Sequence, residues 1–366
     1  MNAWDTVVVG AGIAGLSLAR ELAKLKRRVV LLEKEEEGGK ASRAAAGILD
    51  PCSEAREESP MLELGLKAIQ DYPAFLQELG KKAFDEVEFK KTGLLYLAFS
   101  SEDEKFLKER FAWQKRRGLP VESLTEQEVR KIEPEVTKRT RSGILFPEIP
   151  KLNARKLTAL LFDACRSRGV EIRTITKEIS VWVEKDKVRG VESSEGRFEA
   201  PQVVLAAGSW TALEPPLGIK IKMGPVRGQI LILRCPPSLC PERILHTVRY
   251  AYIVPWPENR LLVGSTLESV GYDERVTPDA ERDILNRASE MIEELPTFPI
   301  EASWSGLRPF AEGGRPFIGP TRIEGLFLAT GYYRSGILVG PLVGKLLAEG
   351  LETNRFSPLL KPFYPQ

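Results

Sequence analysis

At 366 residues, 43% hydrophobic and 28% charged, the chain has ordinary globular composition and is long enough for two domains. Its 53 basic and 51 acidic residues leave a formal charge of +2, which gives no electrostatic basis for a nucleic-acid or anionic-membrane partner. One histidine, His246, and four cysteines without CxxC spacing point to no metal site, and free thiols fit a reducing, cytoplasmic setting.

Thr6-Val7-Val8-Val9 is a short β-branched run of the kind a strand buried on both faces requires. Gly10-Ala11-Gly12-Ile13-Ala14-Gly15 follows, then a helical pattern from Leu16 to Lys26, then a second buried strand from Arg28 to Leu32, ending at Glu33. The apolar stretch from Val7 to Leu18 is similar to a signal-peptide core. Asp5 stands where such a signal carries positive charge, so the stretch reads as a folded element. No uncharged run reaches bilayer-spanning length.

Residues 34–60 read as a loop with a short helix. Helices are predicted over Pro60–Gly80 and Ser101–Gly118, with a strand over Thr92–Phe99 between them. Thr125 begins another helix, with Glu128 completing a capping box. Asn153–Arg168 is helical and Gly169–Arg173 begins a strand. Ile179, Val181 and Val183 alternate, Val188–Val191 returns, and Val203–Gly208 is a buried strand running into glycine. Ile230–Leu233, Ala251–Val254 and Leu261–Ser265 predict an antiparallel sheet. Thr277–Leu295 reads as a helix, Leu326–Gly331 as a last core strand and Pro341–Glu349 as a closing helix. His246 is expected on a surface strand, and the tryptophans, Trp304 included, in the core.

Parallel-type segments alternate with antiparallel-type ones, which predicts an α/β chain of two interleaved domains. Residues 1–80, 145–220 and 305–366 are assigned to a Rossmann-like nucleotide domain. Residues 81–144 and 221–304 are assigned to an α+β substrate domain built on the antiparallel sheet. In the first of these, Gly10 makes the turn, Gly12 lets a pyrophosphate approach the backbone and Gly15 packs helix against strand. The helix N-terminus offers N–H groups and partial positive charge to phosphates. Glu33 is placed to accept from adenosine ribose hydroxyls, and an acid there argues against a 2′-phosphate. The motif alone leaves NAD and FAD open.

The chain resembles the D-amino-acid-oxidase superfamily, and within it the glycine oxidases of the thiamine pathway. The landmarks run over nearly the whole length: Gly10–Gly15, Ala44–Leu49, Pro225–Gln229, Tyr252–Pro255, Gly264–Thr266, Trp304–Pro309, Pro316–Gly319 and Gly331–Leu338. The resemblance makes the cofactor non-covalent FAD, since no cysteine lies beyond Cys240 to carry a flavin. It reads Leu328–Gly331 as a second FAD signature and Val204–Trp210, with Gly208, as the strand returning from the cofactor. It places Ser42, Ala46, Gly47 and Ile48 against the flavin. Tyr333, Arg334, Ser335, Gly336, Ile337 and Leu338 lie around its ring, Ile179 on the adenine side, and Ile13, Ala14 and Lys34 beside the phosphates and ribose.

Arg308 matches the residue that grips the substrate carboxylate, Tyr252 a second carboxylate partner, and Arg334 an arginine at the pocket mouth. Tyr250 departs from the histidine that glycine oxidases can carry there. An arginine fork holds a carboxylate through two bonds, which lysine does not reproduce. The implied reaction is oxidation of glycine, or of a small N-substituted or D-amino acid, to the imine. O₂ would be the acceptor and H₂O₂ the product, and the imine would feed thiazole synthesis. The alternatives are a dehydrogenase passing electrons to a quinone or protein, and a flavin-bound assembly factor or tRNA-modifying oxidoreductase. Near-zero net charge argues against the tRNA role. Homo-oligomers are frequent among members of the superfamily, which leaves the assembly state open.

Overall fold

The computed structural model describes residues 4–35, 40–53, 55, 57–176, 178–213, 219, 221–249 and 251–365. Thr6–Val9 pairs in parallel with Val29–Glu33 on one side and Val203–Leu205 on the other. Glu171–Thr174 and Leu326–Thr330 extend the parallel set, and Phe317–Pro320 closes it antiparallel, giving a six-stranded sheet. Its central strands carry no polar face because both sides are covered. Helices Ile13–Lys24, Ala154–Ser167 and Gly336–Thr353 cover one side. A three-stranded antiparallel sheet, Ile179–Glu184, Lys187–Ser193 and Gly196–Glu199, covers the other.

The closing helix starts at Gly336 rather than Pro341 and continues to Thr353, passing straight through the proline. Pro341 has no N–H to offer the Ile337 carbonyl one turn back. The Tyr72 hydroxyl donates to that carbonyl instead, at 2.9 Å, so the break a proline usually causes is repaired from outside the helix. Gly344 lets this helix lie directly on Ile13–Lys24: a Cβ there would sit 2.7 Å from the Leu18 nitrogen.

A second, eight-stranded sheet runs in the order Ile300–Ala311, Met223–Arg234, Arg260–Gly264, Tyr252–Trp256, Ile244–Thr247, Leu94–Ala98, Ser142–Phe146 and Glu122–Thr125. All neighbours are antiparallel except Ile244–Thr247 beside Leu94–Ala98. Strand alternation splits its side chains between two cores. Leu95, Leu231, Leu245 and Ile253 face helix Pro278–Ala288, whereas Tyr96, Ile230, Ile244 and Val254 face the segment holding Ile48 and Leu62. Strand Ile300–Ala311 runs unbroken through residue 305, where the sequence suggested a boundary.

The helix expected over Thr277–Leu295 stops at Ala288. There the chain turns inward: Met291 N–H donates to Ala288 O at 2.9 Å, and Met291 O accepts from Thr137 N–H at 2.8 Å. This buries Met291, Ile292 and Leu295, so the apolar spacing that suggested a longer helix belongs to a turn. Among the described residues no helix is long and apolar enough to cross a membrane.

Candidate active site

A cavity of about 650 Å³ opens at the C-terminal ends of the parallel strands, where open α/β sheets bind ligands. Gly10 turns the chain at φ +104°, and a Cβ there would meet the Ala206 carbonyl oxygen at 2.6 Å. At Gly12 a Cβ would meet only Ser42 Oγ, at 3.3 Å, which leaves the backbone open towards the cavity. At Gly15 it would lie 1.9 Å from Gly10 O, so this glycine seats the helix on the turn. The helix presents its N-terminus to the cavity, with Ile13 N–H donating to Ser42 Oγ at 3.0 Å. Glu33 closes the loop, accepting from Ala11 N–H at 2.6 Å and from Lys34 N–H at 2.7 Å.

In the same wall the Tyr332 hydroxyl is buried with no protein partner, and burial holds the phenol un-ionised. A buried orphan hydroxyl is costly, by about 1–3 kcal/mol, unless something else meets it. A glycine cradle, a helix N-terminus facing the cavity and an unmet donor together fit a polar phosphate-bearing cofactor.

A second cavity of about 330 Å³ joins the first along Ala41, Ala45, Tyr333, Arg334 and Ile337, which line both. Its floor is the eight-stranded sheet. Arg308 rises from the edge strand, and its guanidinium lies over Gly228 of the neighbouring strand: a Cβ at 228 would sit 2.0 Å from Nη1. The fork donates to Thr266 O at 3.1 Å and to Ser265 Oγ at 2.9 Å. Tyr252 lies over Gly264 in the same way, with Oη 2.6 Å from where a Cβ would be. Burial raises the Tyr252 phenol against the pull of the Arg308 charge, so it remains a neutral donor. Asp50, the one carboxylate lining this cavity among the described residues, accepts from Cys52 and Ser53 N–H at 3.0 and 2.8 Å.

His246 corrects the expectation of a surface position: it is 6% exposed and lines this cavity. In strand register it pairs with Tyr96 on one side and Tyr252 on the other, making a row with ring centroids 4.6 and 6.1 Å apart. Burial pushes its pKa down to about 4, although its Nδ1 lies 2.8 Å from Thr247 O and that bond works the other way. The ring is therefore neutral near pH 7.

The strap from Ser265 to Thr277 starts in the wall of the smaller cavity, which Ser265 and Leu267 line. Arg227, 4% exposed, anchors it by donating to Glu268 at 2.8 and 3.2 Å and to Arg275 O at 3.0 Å. Burial pushes the Glu268 carboxyl up, but bonds from Arg227, Thr266 and Gln229 outweigh it and bring the pKa to about 2. At the far end Tyr272 donates to Ser209 O at 3.0 Å, and Lys40 reaches Glu274 at 2.6 Å. The strap thus supplies two groups that hold Arg308. The sequence carried a signal for it: Arg227 and Gln229 are polar residues in an otherwise apolar strand.

The structure brings most of the expected residues together. Gly10, Gly12, Ile13, Ala14, Glu33, Lys34, Ser42, Ile179, Gly208 and Gly336 line the larger cavity. Ala46, Gly47, Ile48, Ser335, Leu338, Tyr252 and Arg308 line the smaller. Tyr333, Arg334 and Ile337 line both. Gly15 and Gly331 lie behind the wall, Gly331 tight against Ala311 and Pro316. Trp210 lines the larger cavity, 4.9 Å from Lys40 Nζ, instead of sitting in the core. Trp304 is half-buried, with Nε1–H donating to Ala44 O at 3.2 Å. Tyr250 lies outside the described residues.

Residues 5–350 match the DAO family, described as FAD dependent oxidoreductase. A glycine oxidase of Geobacillus kaustophilus is 33% identical, over 98% of this chain and 96% of that one. A crystal structure of glycine oxidase from Geobacillus kaustophilus superposes with a TM-score of 0.92 at 31% identity, covering 100% of this chain and 99% of that one. The bifunctional protein ThiO/ThiG of Synechocystis is 31% identical over 99% of this chain, which spans 54% of it. A match this long, on a fold with this cleft, places the chain in the DAO family of FAD-dependent oxidoreductases.

Proposed function

We propose that the protein oxidises the C–N bond of glycine or a small N-substituted or D-amino acid, with O₂ as acceptor. The observation that carries this reading is the Arg308 fork beside Tyr252, in a cavity continuous with the nucleotide cleft. In this reading Gly10, Gly12 and the Ile13 helix hold the FAD pyrophosphate, and Glu33 holds the ribose. The 44–48 and 333–338 segments hold the ring. FAD supplies the two-electron acceptor.

Arg308 takes the substrate carboxylate through its two-pronged guanidinium, and Tyr252 adds a neutral hydrogen bond. Fixing the carboxylate at two points sets the direction of Cα, which is the main work left to the protein. Among the described residues no lining side chain is placed as a general base: His246 is neutral but lies flat in an aromatic row, and Asp50 is occupied by backbone N–H groups. The amine therefore enters as the free base and leaves as the imine, which water converts to the carbonyl acid and ammonia, or the corresponding amine where the substrate nitrogen is substituted. The glycine oxidase and ThiO/ThiG relatives support a small amino-acid substrate and a place in thiazole formation. The two sheets support a chain divided between a cofactor domain (1–80, 145–220, 305–366) and a substrate domain (81–144, 221–304), except that residues 145–146 and 305–311 stay with the substrate sheet. The cysteine usage supports a cytoplasmic setting.

The test is anaerobic titration of the FAD-loaded protein with glycine, sarcosine, D-alanine and D-proline, followed by admission of air. Flavin bleaching by at least one of these, with H₂O₂ formed on reoxidation, is expected. Bleaching by none of them overturns the reading. Reoxidation by a quinone dye but not by air replaces the oxidase with a dehydrogenase.

A further inference from the structure

The loop Cys235-Pro236-Pro237-Ser238-Leu239-Cys240 leaves the strand that seats Arg308 and leads into the strand that carries His246. Its two prolines fix φ in the first half. A single 3₁₀ turn, Pro237–Leu239, with Leu239 N–H donating to Pro236 O at 2.9 Å, folds the loop back on itself. The fold brings two thiols onto one acceptor: Cys235 Sγ is 3.3 Å and Cys240 Sγ 3.4 Å from Pro236 O. The two thiols thus converge on a single carbonyl oxygen. Cys235 is buried, whereas Cys240 is partly exposed and open to a small solute. The other two cysteines are buried and spoken for elsewhere: Cys165 Sγ lies 3.2 Å from Leu16 O, and Cys52 belongs to the core around Leu62 and Tyr96.

We propose that Cys235 and Cys240 are a peroxide-closable dithiol, a site where an intrachain disulfide ties the two pocket-bearing strands together at their connection. Two sulfurs gathered at 3.3 and 3.4 Å from one carbonyl oxygen have a short way to travel to the bonding distance of about 2.0 Å. The oxidant is a hydroperoxide. Cys240 sulfur attacks one oxygen of H₂O₂ and breaks the O–O bond, becoming a sulfenic acid as the first water leaves. Cys235 sulfur then displaces the hydroxyl from Cys240, the S–S bond forms, and the second water leaves. Two thiols lose two electrons and two protons, and one peroxide becomes two waters. Burial raises both thiols, and the Glu135 carboxylate adds to this, so thiolate is scarce and closure is slow beside that of a low-pKa redox sensor. Only the origin of the peroxide rests on the oxidase reading above; the closure itself does not.

The test uses reduced, FAD-loaded protein exposed to excess H₂O₂, then denatured, alkylated and examined by intact mass and non-reducing peptide mapping. Alkylatable thiols should fall from four to two, with a mass loss of about 2 Da before alkylation and one cross-link joining 235 to 240, all reversed by reductant. Cys240→Ser should give no cross-link under the same treatment. Four surviving thiols overturn the proposal, and so does a Cys240 sulfinic acid beside an alkylatable Cys235. In a second arm the protein turns over glycine in air with no added peroxide. A cross-link there supports both readings. Its absence, when added peroxide does close the pair, counts against the oxidase reading and leaves the dithiol standing.

Discussion

The nucleotide cleft and the substrate pocket are both built around glycines, but what a side chain would strike differs between them. In the cleft it is backbone: the Ala206 carbonyl for Gly10 and the Gly10 carbonyl for Gly15. On the sheet floor of the pocket it is the side chains that matter for binding, the Arg308 guanidinium over Gly228 and the Tyr252 ring over Gly264. Gly10 and Gly15 therefore shape the chain itself, whereas Gly228 and Gly264 are empty seats in a sheet that would fold without them. One region fails by losing its fold and cofactor, the other by losing the position of a single group.

Substitutions that exploit this difference can break it. Gly10→Ala has the largest expected effect, because φ +104° and a carbonyl at 2.6 Å leave no route to relaxation. The purified variant should lack bound flavin, as read from its visible absorbance, and should therefore be inactive. Arg308→Ala should keep its flavin and lose kcat/KM by at least about a hundredfold, since it removes one partner of a charged hydrogen-bonded pair. Arg308→Lys should restore little of that loss.

Gly228→Ala should lower kcat/KM by about tenfold to a hundredfold, the scale of a displacement near 1 Å. It should leave flavin content and thermal midpoint close to wild type, because the flexible end of Arg308 can move aside. If Gly228→Ala instead sheds flavin or unfolds the protein, the two regions are not separable in this way.

How far the sequence could be read follows the same division. The strand Thr6–Val9, its glycines and the acid at Glu33 lie in one continuous stretch, so local spacing alone disclosed their purpose. Pocket residues come from strands that meet only through sheet register. Arg308 and Tyr252 were legible only through family resemblance, and His246 was misplaced because nothing local says which face of its strand looks inward. Its parity with Ile244 and its register opposite Tyr96 and Tyr252 settle that question, and both depend on pairing across the chain. The long final helix was misread for a similar reason: the repair at Pro341 comes from Tyr72, hundreds of residues earlier in the chain.

The last expected effect needs no mutation. His246 is the single histidine, so its ring resonances can be followed by NMR without assignment, and they should titrate with a midpoint near 4. The sign follows from linkage. With a folded pKa near 4 against an ordinary 6.5, the unfolded chain takes up a proton that the folded chain refuses. Stability is then unaffected by this group above pH 6.5 and falls by about 3 kcal/mol as pH drops towards 4. A midpoint near 6.5 would mean that the aromatic row is open to water.

A crystal structure of the FAD-loaded protein soaked with acetate, a carboxylate without the amine, tests the central claim most directly. The account predicts the acetate oxygens within hydrogen-bonding distance of the Arg308 fork and the Tyr252 hydroxyl, beside the flavin ring. Acetate bound elsewhere, with Arg308 still held by Ser265 and Thr266, would contradict it.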